Sequence, residues 1–191
     1  GLYMRFTRNR KCEHIVTSQE NPSKSVINRA AKVLRSGGII IYPTDTLYGF
    51  GVMINNKKAV KRMYEIKKRD RKKPYSILIN TIEQAEQICG GLTSREEEFF
   101  KILLPGKMTV LLRAKRKLNI PGLEHLEKVG FRIPESNLCH LIIRKVGSPI
   151  SSSSVNISYE PNIDETNEIS SQFSSDVDLF LDSGPVFSLK G

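Results

Sequence analysis

The stretch Gly37 to Gly51, GGIIIYPTDTLYGFG, constrains the fold of this chain more than any other. Its paired glycines can end a helix, and Ile39 to Tyr42 form an apolar run long enough for a buried strand. Pro43 then breaks the run, because a residue with no amide hydrogen and a fixed φ cannot serve inside a central strand. Beyond the break come Thr44, Asp45, Thr46, Tyr48 and two more glycines. A hydrophobic strand that delivers two hydroxyls and a carboxylate to its end is a common way to build a site in an open α/β sheet. Taken alone, the same residues also read as an ordinary strand end capped by turn formers.

The rest of the chain supplies helices and strands in mixture. Val26, Ile27, Ala30, Ala31 and Leu34 fall at helical spacing and predict a helix over 22–35, with Asn21 or Ser23 as its cap. A second helix is predicted over 57–68, with Ala59, Val60, Met63 and Tyr64 on its apolar face. Two capping boxes, Thr81 with Gln84 and Thr93 with Glu96, open helices over 81–89 and 93–104. Further helices are expected over 137–145 and 166–174. Strands are expected over 39–42, 76–80, 109–114, 129–134, from Pro149 into the serine run 151–154, and over 178–182. Helices between most strands argue for a single two-layer or three-layer α/β domain with helices packed on the sheet. Residues 1–14 read as an N-terminal tail and 15–191 as the domain.

Charge narrows the partners. The net charge of +10 favours an anionic ligand, nucleotide or nucleic acid, without choosing between them. Six of the seven residues from Lys67 to Lys73 are Lys or Arg. One or two of these can offset a helix dipole, but six repel one another unless an anion is near. Cys12, Cys89 and Cys139 are odd in number and widely spaced, which fits a reduced, cytoplasmic setting. No apolar run approaches the roughly 20 residues that span a bilayer, so no membrane partner is expected.

The polar groups that follow apolar strands are Thr44, Asp45 and Thr46; Lys67, Arg69, Lys72 and Lys73; Thr109; Arg132; and Ser152, Ser154 and Asn156. His14, His125 and His140 lie outside these stretches, so no Ser-His-Asp arrangement forms, and neither a Walker loop nor GxGxxG is present. Cys12 with His14 is too small a set for a metal site, and no metal ligands are assigned. A set rich in hydroxyls and cations binds phosphates and carboxylates and can neutralise charge on a transferring phosphoryl group. It does not suit covalent nucleophilic catalysis.

Four features taken together resemble the YrdC-like family of threonylcarbamoyl-AMP synthases, in its short, single-domain form. They are GGIIIYPTDTLYGFG; Lys67-Lys68-Arg69 as K-x-R, followed by Lys73-Pro74; Pro105-Gly106-Lys107-Met108-Thr109 as P-G-x-x-T, with Arg132-Ile133-Pro134 later; and Ser154-Val155-Asn156 as S-x-N. The resemblance covers Gly37 to about Ile163. It implies a twisted, open, mixed sheet with flanking helices and a concave basic surface. It also implies that ATP, with its Mg2+, is used with L-threonine and bicarbonate to form threonylcarbamoyl-AMP and pyrophosphate, and that a downstream transferase complex passes the group to a tRNA adenosine beside the anticodon. On this resemblance Lys67 and Arg69 are the catalytic pair. Thr44, Thr46, Arg132 and Ser152 hold threonine or bicarbonate, and Lys67, Arg69, Lys73, Thr109, Ser154 and Asn156 hold ATP. The chain departs from the family pattern at Val155, at Tyr159, at the Ser76-Ile77-Leu78 stretch, and in ending at Gly191 where the family continues to a Ser-Thr strand. Two other readings stand beside this one. One is a non-catalytic tRNA- or double-stranded-RNA-binding module that uses the same basic surface. The other is a divergent paralogue with another acyl acceptor.

Overall fold

In a computed structural model, which describes residues 12–156 and 165–186, eight strands and six helices are interspersed along the chain. They are β1 (Glu13–Val16), α1 (Lys24–Arg35), β2 (Ile40–Pro43), β3 (Tyr48–Gly51), α2 (Lys57–Lys67), β4 (Ser76–Leu78) and α3 (Ile82–Cys89). These are followed by α4 (Ser94–Leu103), β5 (Val110–Arg113), β6 (Lys128–Arg132), α5 (Asn137–Val146), β7 (Ile150–Ser154), α6 (Thr166–Phe173) and β8 (Leu179–Asp182). The caps follow local chemistry. Ser23 Oγ accepts the Val26 amide at 3.2 Å, Asn56 Oδ1 accepts Ala59 at 3.0 Å, and Thr93 with Glu96 closes the expected box on α4.

The strands form one open, mixed sheet in the order β1-β8-β2-β3-β7-β4-β6-β5. Strand side chains alternate between faces, so each helix layer meets every second residue. On one face α1 and α5 pack against Ile40, Tyr42, Leu78, Ile150, Leu179 and Leu181. On the other, Ile39, Ile41, Phe50, Ile77 and Phe131 meet Val60 and Met63 of α2, Phe100 of α4, and Ile169 and Phe173 of α6. The result is the three-layer form of the expected α/β architecture. No helix among the described residues is long and apolar enough to cross a membrane.

Three local features differ from the sequence reading. Glu13 and His14, assigned to the tail, belong to β1, which pairs in parallel with β8. Pro43 is not outside the sheet but is the last residue of β2, where it pairs with Tyr48. The YGFG stretch is itself a strand. Its glycines hide that from propensity, but they are needed because the Tyr42 ring lies across them. A Cβ on Gly51 would stand 2.8 Å from Tyr42 Cε1, and one on Gly49 would stand 3.2 Å from Cζ.

Candidate functional site

Strand β7 is the spine of the site. The serine run, read as a strand end, is paired strand along its length: Gly49 of β3 opposes Ser154, and Ser76 of β4 opposes Ser152. Alternation splits the run between the two faces. Ser151 is structural; its Oγ accepts the Val52 amide at 2.9 Å and donates to the Phe50 carbonyl at 3.1 Å. Ser153, on the same face, is where α2 reaches the spine.

That contact is made by Lys67. Lys68 adopts a left-handed conformation (φ 49°), ending α2 and letting the Arg69 amide bond back to the Tyr64 carbonyl at 2.9 Å. Lys67 is thereby turned inward and is only 1% exposed. Its Nζ donates to Ser153 Oγ at 2.8 Å, to the Ser154 carbonyl at 2.5 Å and to Asn156 Oδ1 at 3.2 Å, which uses all three of its hydrogens. The Phe50 ring centroid lies 5.8 Å from the same nitrogen. Burial, and then the charge of nearby Arg69, lowers the Lys67 pKa to about 7. Ser154 Oγ donates to Asn156 Oδ1 at 2.9 Å, so Lys67, Ser154 and Asn156 form one cluster. Arg69 is half-buried and donates through Nη2 to the Pro74 carbonyl at 2.7 Å, while its buried Nε has no partner among the described residues. Lys73, also half-buried, closes the turn by donating its amide to the Asp70 carbonyl at 3.0 Å.

The Thr44–Leu47 turn adjoins this cluster, because the Val155 amide donates to the carbonyl of Tyr48, the residue opposite Pro43. Thr44 is 2% exposed and shapes the turn, its Oγ accepting the Thr46 and Leu47 amides at 3.1 Å each. Thr46 Oγ lies 3.2 Å from Thr44 Oγ. Arg132 arrives from the end of β6. Its Nη1 donates to Thr44 Oγ at 3.3 Å, and its Nη2 is ion-paired with Asp45 Oδ1.

A third group lies across β7, β4, β6 and β5, on the face opposite Ser153. The registers set Ser152, Ser76, Gly130 and Leu111 side by side on one face of β7, β4, β6 and β5. A Cβ on Gly130 would come within 3.0 Å of Thr109 Cγ2 and 3.2 Å of Ser76 Oγ, so Thr109 and Ser76 flank a notch kept open by the glycine. The structure therefore joins Lys67, Ser154 and Asn156 in one cluster and Arg132, Thr44 and Thr46 in another, and sets Ser152 and Thr109 beside Ser76 and Gly130, while Arg69 and Lys73 bond within the turn 69–74. The expectation named Asp45 among the polar groups but gave it no role, and it omitted Ser153, Ser76 and Gly130. Period-two alternation of the serine run could have singled out Ser153, but nothing in sequence spacing foretells the Asp45–Arg132 contact.

Chemically, the arrangement suits anions and has two distinct ends. Lys67 and Arg69 have no ion-pair partner among the described residues, whereas Arg132 is paired with a carboxylate. The histidines are engaged elsewhere, His14 with Asp182 at 2.8 Å and His140 with Asn80 at 2.8 Å. Among the described residues no three His, Cys, Asp or Glu side chains are grouped to hold a metal. Tyr159 and the segment after Val186 lie outside the described residues.

Comparison with known proteins follows the same residues. A family model for Sua5/YciO/YrdC proteins, described as "Telomere recombination", matches residues 32–189. A Bacillus subtilis protein named threonylcarbamoyl-AMP synthase is 30% identical over 171 residues, covering 89% of this chain and 49% of the relative. A Methanocaldococcus jannaschii relative carrying a provisional form of the same name is 32% identical over 166 residues, covering 86% of this chain and 77% of the relative. The structure of Pyrococcus abyssi Sua5 complexed with L-threonine superposes with a TM-score of 0.82 at 28% identity, over 90% of this chain and 50% of that one. The chain thus spans about half the length of the Bacillus and Pyrococcus proteins.

Proposed function

The chain belongs to the Sua5/YciO/YrdC family, and on that premise we propose that it is an L-threonylcarbamoyladenylate synthase, a nucleotidyltransferase acting on ATP, L-threonine and bicarbonate. The observation that carries the reading is a lysine buried against β7 with no carboxylate partner among the described residues, together with a separate, acid-paired guanidinium at the end of β6. The first suits a triphosphate and the second a single carboxylate.

In this mechanism threonine and bicarbonate lose water to give an N-carboxy amino acid. One oxygen of that carbamate attacks the α-phosphate of ATP and pyrophosphate leaves. Arg69 and Lys73 hold the phosphates. Lys67 adds positive charge from beneath and fixes the S-x-N segment, whose Ser154 and Asn156 meet the nucleotide, with Thr109 at the edge. Arg132, Thr46 and Ser152 orient the amino acid and its carbamate, with Thr44 setting the turn. The gain is chiefly orientation of two anions that repel each other in water, together with stabilisation of charge developing on the phosphates. Mg2+ enters with ATP as part of the substrate. The mixed anhydride formed is an activated acyl donor, consistent with transfer to a tRNA adenosine by a downstream enzyme in the cytoplasm. The net charge of +10 also supports direct contact with that RNA.

Pyrophosphate release from ATP, measured with and without L-threonine and bicarbonate, tests the proposal. Release that requires both, and that falls at least about 100-fold in Arg69→Ala, is the expected result. Release indifferent to threonine would refute it.

A further inference from the structure

Asp45 has no assigned part in the reaction, and its surroundings give it one. Its side chain is 11% exposed and that of its partner Arg132 is 9% exposed, so the pair is nearly removed from water. Both carboxylate oxygens are held, Oδ1 by Arg132 and Oδ2 by the Glu135 amide at 3.3 Å just ahead of α5. The carboxylate is therefore anchored by backbone, and the guanidinium is set against it. A buried ion pair is a poor stabiliser in itself, because desolvation offsets its attraction. This one is also incomplete, since Arg132 Nε is buried with no partner among the described residues.

The contrast with the other end of the site supplies the reason. Lys67 and Arg69 donate to neutral oxygens alone among the described residues, so no carboxylate offsets them there. A bare Arg132 would make a second such centre, and a phosphate group would take either. We propose that Asp45 is a positioning and specificity residue: by orienting and partly neutralising Arg132 it makes that end of the site a receptor for one substrate carboxylate and excludes the phosphates of ATP. This rests on the synthase reading for the identity of the carboxylate, but the sorting of anions does not depend on turnover.

The test is calorimetric titration of the whole chain and of Asp45→Asn with L-threonine and, separately, with inorganic pyrophosphate. The native chain is expected to take one pyrophosphate, which leaves threonine binding intact. In Asp45→Asn the threonine Kd rises at least about ten-fold, as expected for loss of an oriented charge-assisted contact, and a second pyrophosphate binds in competition with threonine. Asp45→Glu, which restores the charge on a longer arm, weakens threonine but keeps the stoichiometry at one, and it also serves should the Asn variant not fold. One pyrophosphate and a threonine Kd within two-fold of native in Asp45→Asn would overturn the proposal. If the native chain binds pyrophosphate but no threonine, the synthase reading fails, and the change from one pyrophosphate to two still decides the role of Asp45.

Discussion

Lys67 places its amine where water cannot reach it and no carboxylate answers it among the described residues. Its pKa, lowered to about 7 from 10.5, has a consequence with a definite sign. Between those values the unfolded chain holds a proton that the folded chain has released, so folding stability rises with pH across the window and is lost as pH falls toward 7. Urea midpoints at pH 7, 8 and 9 are expected to show this rise in the native chain and a shallower one in Lys67→Met, which keeps most of the length of the side chain without its charge. Equal slopes would mean that Lys67 is charged throughout. An anion bound above the cluster favours the charged form, so ATP binding near pH 7.5 is expected to take up protons, read as a binding heat that varies with the ionisation enthalpy of the buffer. The K-x-R spacing made Lys67 and Arg69 legible as a pair of cations. It could not show that the left-handed turn at Lys68 sends one inward and leaves the other half-exposed. A run of basic residues looks alike in sequence whether it is solvated or buried, because burial is decided by the strand it meets.

The hairpin of β2 and β3 is where local rules and the sheet disagree. Propensity sees two glycines and a proline and reads a loop. Pairing sees a tyrosine that needs an empty opposite strand, and the glycines provide it. Gly51→Ala places a methyl 2.8 Å from the Tyr42 ring and is expected to cost about 1–3 kcal/mol. A lowered urea midpoint with an unchanged m-value is the measurement, and Tyr42→Leu in the same background should recover part of the loss. Amphipathic helices and their caps were readable because their signals are local: Ser23, Thr81 and Thr93 each cap the helix that the pattern assigned to them. The strand role of the four serines was half-readable. Their hydroxyls marked a site, but only pairing with β3 and β4 on either side shows them as the middle of a sheet.

Across the whole molecule, Asp178 joins parts that sequence keeps far apart. Its carboxylate accepts the Ile39 amide at 2.9 Å and is ion-paired with Arg62 of α2 at 2.9 Å, tying the entry to β8 to the start of β2 and to the helix that carries Lys67. Asp178→Ala leaves a half-buried arginine and a buried amide without this acceptor and is expected to cost about 2–4 kcal/mol. Because the sheet is continuous, the loss should appear as one cooperative shift of the thermal transition. Early melting of α6 alone would contradict this. The class of fold was legible from alternating helices and strands, but the strand order was not, since β8 lies between β1 and β2 and no local signal encodes a pairing over that separation. The order also has a consequence in time. During synthesis, β2 and its site turn leave the ribosome long before the strand that will flank them. At about 5–20 residues per second the wait is on the order of ten seconds. Through it the apolar edge of β2 has no neighbour on the β8 side, and the nascent chain presents to chaperones the strand that leads into the Thr44–Leu47 turn.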